Sequence, residues 1–268
     1  MRVLKLGLGG ADVLALQKAL AGKGFPPGNL DSRFGRGTEA AVAAFQASEG
    51  LLADGIAGPR TLAALGLADD ATLADVTDQV SLRIVVEMFP ATPMGNIKRN
   101  LPIVLDALRK RTLHDRGMVL MALATIRAEV APFLPMSEGL SKFNTSPNGH
   151  PFDLYDNRRD LGNRGPPDGE RYKGRGFAQL TGRANYRTYG PRLLTPADLE
   201  NSPDLASAAE IAADLLALFI GDRELQIKDA LMHGNLMAAR RLVNGGTHGL
   251  ADFTQAYETG DRLLPASL

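Results

Sequence analysis

Between Arg116 and Glu138 the chain carries only two charged residues, Arg127 and Glu129, and the run Met118-Val119-Leu120-Met121-Ala122-Leu123-Ala124-Thr125-Ile126 holds none. A helix apolar nearly all round cannot lie on a surface, so the rest of the domain has to be built around it. Apolar periodicity of the same helical kind recurs over 84–89, 103–108, 206–220 and 236–243, without sustained alternation of period two. The pattern predicts a mainly α protein. Its length of 268 residues allows one large domain or two unequal ones, and 44% apolar with 22% charged residues excludes general disorder. Lysine plus arginine balance aspartate plus glutamate at 30 each, so no overall field draws the chain to nucleic acid or an anionic membrane. No run is long enough to insert in a bilayer, and the start lacks the apolar stretch of a signal peptide. Cysteine is absent and His114, His150, His233 and His248 are scattered, so neither a metal nor another cofactor is expected.

Residues 1–66 read as a small three-helix unit with an internal echo. Val13, Leu16 and Leu20 share one helical stripe, with Asp12 placed to cap it. A second helix repeats the plan: Thr38 is read as its cap, Ala41, Val42 and Phe45 face inward, and Gln46 follows Phe45 as Gln17 follows Leu16. A third, shorter helix opens near Pro59 and closes at Gly66. Together Leu16-Gln17, Phe34-Gly35, Thr38, Ala41-Val42, Phe45-Gln46, Gly50-Leu51, Asp54-Gly55, Gly58-Pro59 and Thr61-Leu62 resemble the peptidoglycan-binding domain of bacterial cell-wall hydrolases. The resemblance implies a non-catalytic wall anchor; the alternative is a helical unit that merely packs on its neighbour. Residues 67–80, with Asp69, Asp70, Asp75 and Asp78 among small residues, read as a linker or the first helical turn of the next domain. That second domain is expected over 81–268.

In that domain Glu129 is the notable acid. A carboxylate on an apolar helix is costly to ionise without partners, which suits a general acid. Arg127, two residues away, lies on a different helical face. The same pattern also fits a structural carboxylate bonded to a distant arginine. Pro132 and Pro135 end the helix, so Glu138 falls on a following turn, where it is either a solvated loop residue or a second catalytic carboxylate. Hydrolysis of a glycoside with inversion needs two carboxylates about 6.5–9.5 Å apart. The span 142–173, rich in glycine, proline, arginine and asparagine, is too long for a simple connection and reads as a functional loop region.

The segment Tyr172-Lys173-Gly174-Arg175-Gly176-Phe177-Ala178-Gln179-Leu180-Thr181-Gly182-Arg183-Ala184-Asn185-Tyr186 offers close backbone approach and neutral hydrogen-bonding groups, as a sugar cleft requires. It resembles the signature of glycoside hydrolase family 19, which joins plant chitinases to endolysins. Asp160-Leu161-Gly162-Asn163, Asp168-Gly169 and Val243-Asn244-Gly245-Gly246 resemble further blocks of its endolysin branch. The resemblance implies a lysozyme-like helical fold with Glu129 as proton donor, Glu138 as base and Thr181 positioning the attacking water. It implies substrate contacts from Gln179, Asn185 and Asn244, and makes Tyr172 and Tyr186 either sugar-contacting or packing aromatics. Ala128 and His248 stand where chitinases carry His and Glu, and the chitinases' late arginine has no match around residues 255–257.

From Arg158 to Arg192 nine basic residues face three acidic ones, which favours a carboxylate-bearing polymer over neutral chitin. The reading is a modular endolysin: a monomeric muramidase that binds peptidoglycan and not nucleic acid. It is expected to be made in a host bacterial cytoplasm and to act in the periplasm or wall after release. A chitinase and a non-catalytic wall-binding protein are the alternatives.

Overall fold

A computed structural model describes residues 3–67, 75–246 and 248–265. The chain is mainly α, as expected, and divides into two compact units, 1–73 and 74–268. Among the described residues no helix is long and apolar enough to cross a membrane.

The first unit carries α1 (Ala11–Gly22), α2 (Arg36–Ser48) and α3 (Pro59–Ala64). Val13, Leu16 and Leu20 of α1 close with Ala41, Val42 and Phe45 of α2 on Leu4, Phe34, Ala57, Leu62 and Leu65. The caps correct the sequence reading. α1 starts after Gly10 and α2 after Gly35, neither with a side-chain cap. Asp12 lies inside the first turn, and Thr38 is buried within α2, where its hydroxyl accepts from Gln17 Nε2 at 3.1 Å. A tertiary bond has claimed the group that local preference would have used as a cap.

The echo between the halves is a repeated buried network. Gln17 Nε2 donates to Asp31 Oδ1, the Arg33 carbonyl and Thr38 Oγ1, while its Oε1 accepts from Ser32 N. Gln46 Nε2 donates likewise to Asp54 Oδ1, the Ile56 carbonyl and Thr61 Oγ1, and its Oε1 accepts from Gly55 N. Each glutamine pins the turn that follows it onto the start of the next helix. A buried amide is tolerable only because both its ends are bonded.

The second unit contains α4 (Leu82–Met88), α5 (Met94–Lys110), α6 (Arg116–Glu129), α7 (Asp153–Asp156), α8 (Asp168–Arg171), α9 (Arg183–Tyr189), α10 (Ala209–Gly221), α11 (Glu224–Met232), α12 (Leu236–Asn244) and α13 (Leu250–Leu263). Two short strands, β1 (Met136–Ser137) and β2 (Arg175–Gly176), pair antiparallel. Asp115 caps α6 through Met118 N, and every residue from Met118 to Ile126 is buried. α4, α10, α11 and α13 pack around it, as an all-apolar helix demands. A Cβ on Gly260 of α13 would lie 2.5 Å from Leu120 and 2.9 Å from the Met88 sulfur, so glycine permits this close crossing.

Asp69 and Asp70 of the expected linker lie outside the described residues. From Asp75 the chain already belongs to the second unit: Val76 and Val80 join its core, and Asp75 and Asp78 pair with Arg109 at 2.8 and 2.7 Å. Residues 77–79 form one 3₁₀ turn.

Candidate active site

The β1–β2 ribbon sets Met136 opposite Gly176 and Ser137 opposite Arg175. Glu138 extends the ladder, its N donating to the Gly174 carbonyl at 2.7 Å. The side chain turns back on the same residue, and Oε2 accepts from Gly174 N at 3.2 Å. Oε1 accepts from Asn144 Nδ2 at 2.9 Å and from the Tyr155 hydroxyl at 3.0 Å. Burial first, then the adjacent Glu138 charge, pushes the Tyr155 phenol up to about 12, so it remains a donor through neutral pH.

Downstream of β2 the chain folds sharply, with Arg175 and Leu180 exchanging backbone bonds. This turn holds Gln179 at φ 51°, a left-handed conformation rare for a side chain of its size. The Gln179 amide nitrogen is anchored on the Met136 and Gly176 carbonyls at 2.9 and 3.0 Å, which leaves its oxygen facing Gly174. A point one carbon out from Gly174 Cα lies 2.8 Å from Gln179 Oε1, 3.2 Å from Glu138 Oε2 and 3.2 Å from Thr181 Oγ1. Three oxygens from separated positions thus converge on one spot. Asn185 supports this cluster from behind, donating to the Thr181 carbonyl at 2.7 Å.

Glu129 is the last residue of α6. Its Oε1 accepts from Arg240 Nη2 at 2.5 Å, and Arg240 on α12 is fully buried. Glu129 is thus bonded to a distant arginine, one of the two arrangements the sequence allowed. Arg127, by contrast, points away to Asp252 at 2.8 Å. Arg240 and Asn244 both donate to the His248 carbonyl at 3.0 Å, so one backbone acceptor is shared by both side chains.

The two tyrosines are packing residues, which corrects their reading as sugar contacts. Tyr172 is 1% exposed and Tyr186 0% exposed, and their rings lie 5.5 Å apart in a subsidiary core. Both hydroxyls donate inward, Tyr172 to the Glu200 carbonyl and Tyr186 to that of Lys173. Buried Arg175 reaches Tyr186 and Asp204, stiffening the back of the ribbon. Four of the nine local basic residues are spent internally: Arg158, Arg175, Arg183 and Arg192 pair with Asp160, Asp204, Asp168 and Asp222.

Sequence reasoning passed over Tyr155, Asn144 and Arg240. Nothing local marks them, although the Asp160-Leu161-Gly162-Asn163 block was a signal for Tyr155. Asn163 donates to the Tyr155 carbonyl at 2.8 Å and accepts from Arg183 N at 2.9 Å, tying Tyr155's turn to α9. Among the described residues no cluster of three potential metal ligands occurs.

Residues 9–65 match the family described as "Putative peptidoglycan binding domain". None of the curated proteins matches the chain. Among solved structures it is similar to chitinase C from Streptomyces griseus, at 18% identity over 69% of this chain and 76% of that one, TM-score 0.47. A bacterial family 19 chitinase is similar at 19% identity, covering 70% and 96% of the two chains, TM-score 0.48. A Burkholderia AP3 phage endolysin aligns over 98% of each chain at 20% identity and TM-score 0.26. The family match falls wholly within the first unit, and it spans both buried glutamine networks.

Proposed function

We propose that this protein hydrolyses the glycan strands of peptidoglycan, the first unit holding the wall and the second cutting it. The family match over residues 9–65 supports the first half. The observation that carries the second is the convergence of Glu138, Thr181 and Gln179 on one point beside Gly174. A further carboxylate, Glu129, stands on a separate element.

In this reading Glu129 gives its proton to the leaving glycosidic oxygen as the C–O bond breaks. A water in the space beside Gly174, donating one hydrogen to Glu138 and the other to Thr181 Oγ1 or Gln179 Oε1, attacks the anomeric carbon from the opposite face as Glu138 takes up the first. The anomeric configuration inverts. Tyr155 and Asn144 keep Glu138 aimed at that water, and Arg240 fixes the Glu129 rotamer. The substrate class is the muramic acid-containing polymer, cut as by a muramidase. The enzyme acts as a monomer in the periplasm or wall after synthesis in a host bacterial cytoplasm.

The test is loss of turbidity of outer-membrane-permeabilised Gram-negative cells, run beside chitin and beside a chain starting at Asp75. Lysis by the full chain without chitin turnover is expected. The shortened chain should cleave soluble glycan fragments but act weakly on whole sacculi, because tethering raises local substrate concentration. Chitin turnover alone would replace the proposal with a chitinase. Anomeric NMR showing retention would reject the inverting step.

A further inference from the structure

The segment after Glu138 carries a feature that the proposed chemistry leaves unused. Phe143 is 75% exposed, the most exposed large apolar side chain among the described residues. A phenyl ring left in water forgoes the stabilisation its burial would bring. It does not sit on a loose loop. The Ser141 carbonyl accepts from Asn144 N and Thr145 N at 3.2 and 3.0 Å, and Ser141 N donates to Asn144 Oδ1 at 2.9 Å. Phe143 N donates to Ser141 Oγ at 3.3 Å. Asn144, itself fully buried, uses its amide nitrogen to hold Glu138 Oε1 at 2.9 Å. One side chain therefore fixes both a site carboxylate and the turn that presents an aromatic ring to solvent. Lys142 Nζ lies 5.2 Å from the centre of that ring.

Resting on the proposed glycan hydrolysis, we infer that Phe143 and Lys142 form a sugar subsite beside Glu138 for a carboxylate-bearing pyranose of the wall polymer. The C–H face of the sugar covers the phenyl ring, and its lactyl or peptide carboxylate meets the ammonium. A pyranose offers apolar C–H patches between polar rims, which an aromatic ring matches and a flexible aliphatic chain does not. The cation separates an anionic glycan from neutral chitin. A lipid surface or a second copy of the chain could also cover a lone phenyl. The rigid link through Asn144 to Glu138 favours the polymer bound at that carboxylate.

The experiment is steady-state kinetics of the full-length chain and its Phe143→Ala, Phe143→Tyr and Lys142→Gln variants on soluble, uncross-linked peptidoglycan glycan strands. A chitin hexamer serves as substrate or competitive inhibitor. Phe143→Ala should raise KM about tenfold with kcat held within about twofold. Phe143→Tyr should stay near wild type. Lys142→Gln should raise KM on the anionic strands and leave chitin binding unchanged. Unaltered KM in Phe143→Ala, with the wild type active, overturns the subsite and leaves glycan hydrolysis standing. A fall in kcat alone would mean that the turn only braces Asn144, and also overturns it. A change confined to sedimentation or to adsorption on anionic vesicles does the same. A wild type inactive on every glycan removes the underlying reading and the subsite with it.

Discussion

Gly174→Ala is the sharpest test of the reaction centre, because the methyl would occupy the point on which three oxygens converge. It would lie 3.2 Å from both Glu138 Oε2 and Thr181 Oγ1 and 2.8 Å from Gln179 Oε1. Gly174 is not among the positive-φ glycines, so the backbone itself accepts alanine. The steric demand is a few tenths of an ångström, chiefly on the Gln179 side-chain oxygen, which puts the overpacking cost near about 1 kcal/mol. That corresponds to a fall in Tm of roughly 2–4 °C for a unit of this size. The catalytic cost is far larger. A methyl there excludes the water from Glu138, removing a general-base contribution of about 10²–10⁴ in rate, or roughly 3–5 kcal/mol of barrier. Calorimetry and kcat/KM on soluble glycan fragments measure the two effects separately. Gly95→Ala on α5, where an added Cβ meets nothing within 4 Å, controls for glycine replacement as such. Wild-type kcat/KM in Gly174→Ala, or a loss no greater than its unfolded fraction, would refute the placement of the water.

Glu129→Gln keeps an oxygen for Arg240 but has no proton to transfer, so lysis should fall about 10²–10⁴-fold, with Tm also lowered because buried Arg240 loses its counter-charge; near-normal lysis of the folded variant ends the assignment. Arg240→Met should lower kcat by releasing the Glu129 side chain, and adding it to Glu129→Gln should cost little more activity. Glu138→Gln and Thr181→Ala should be strongly non-additive in kcat/KM if both serve one water, whereas additivity would assign them to different steps. Burial pushes the Tyr186 phenol up to about 12, so the native state favours the neutral form. Its contribution, on the order of 2–3 kcal/mol, is complete below the unfolded value near 10 and is lost as pH rises toward 12. Urea unfolding between pH 9 and 12 should therefore show falling stability, less steep in Tyr186→Phe; parallel curves would contradict the burial argument.

Much of the architecture was legible in the chain because it rests on local periodicity. A nine-residue run without charge has to be surrounded, and α6 is. Gln17 and Gln46 follow the same apolar positions in two helices, and they nucleate the same network. Glycine, Thr181 and Gln179 within one short segment announced a crowded polar turn, since a tight turn brings near neighbours together by itself. The caps were misread because Thr38 serves a residue 21 positions away, which no local rule detects. The partners of the two carboxylates were hidden for the same reason. Arg240 meets Glu129 across 111 residues, and Tyr155 meets Glu138 across 17, through packing that only the assembled helices create. Whether an aromatic faces sugar or core is likewise a tertiary decision: Tyr172 and Tyr186 went inward because Arg175 and backbone carbonyls satisfy their hydroxyls there, while Phe143 stayed outside on a turn that Asn144 locks. The sequence determined which segments become helices. The tertiary structure decided which charges meet, because an ion pair or a buried hydrogen bond depends on distance in space, and chain order alone does not encode it.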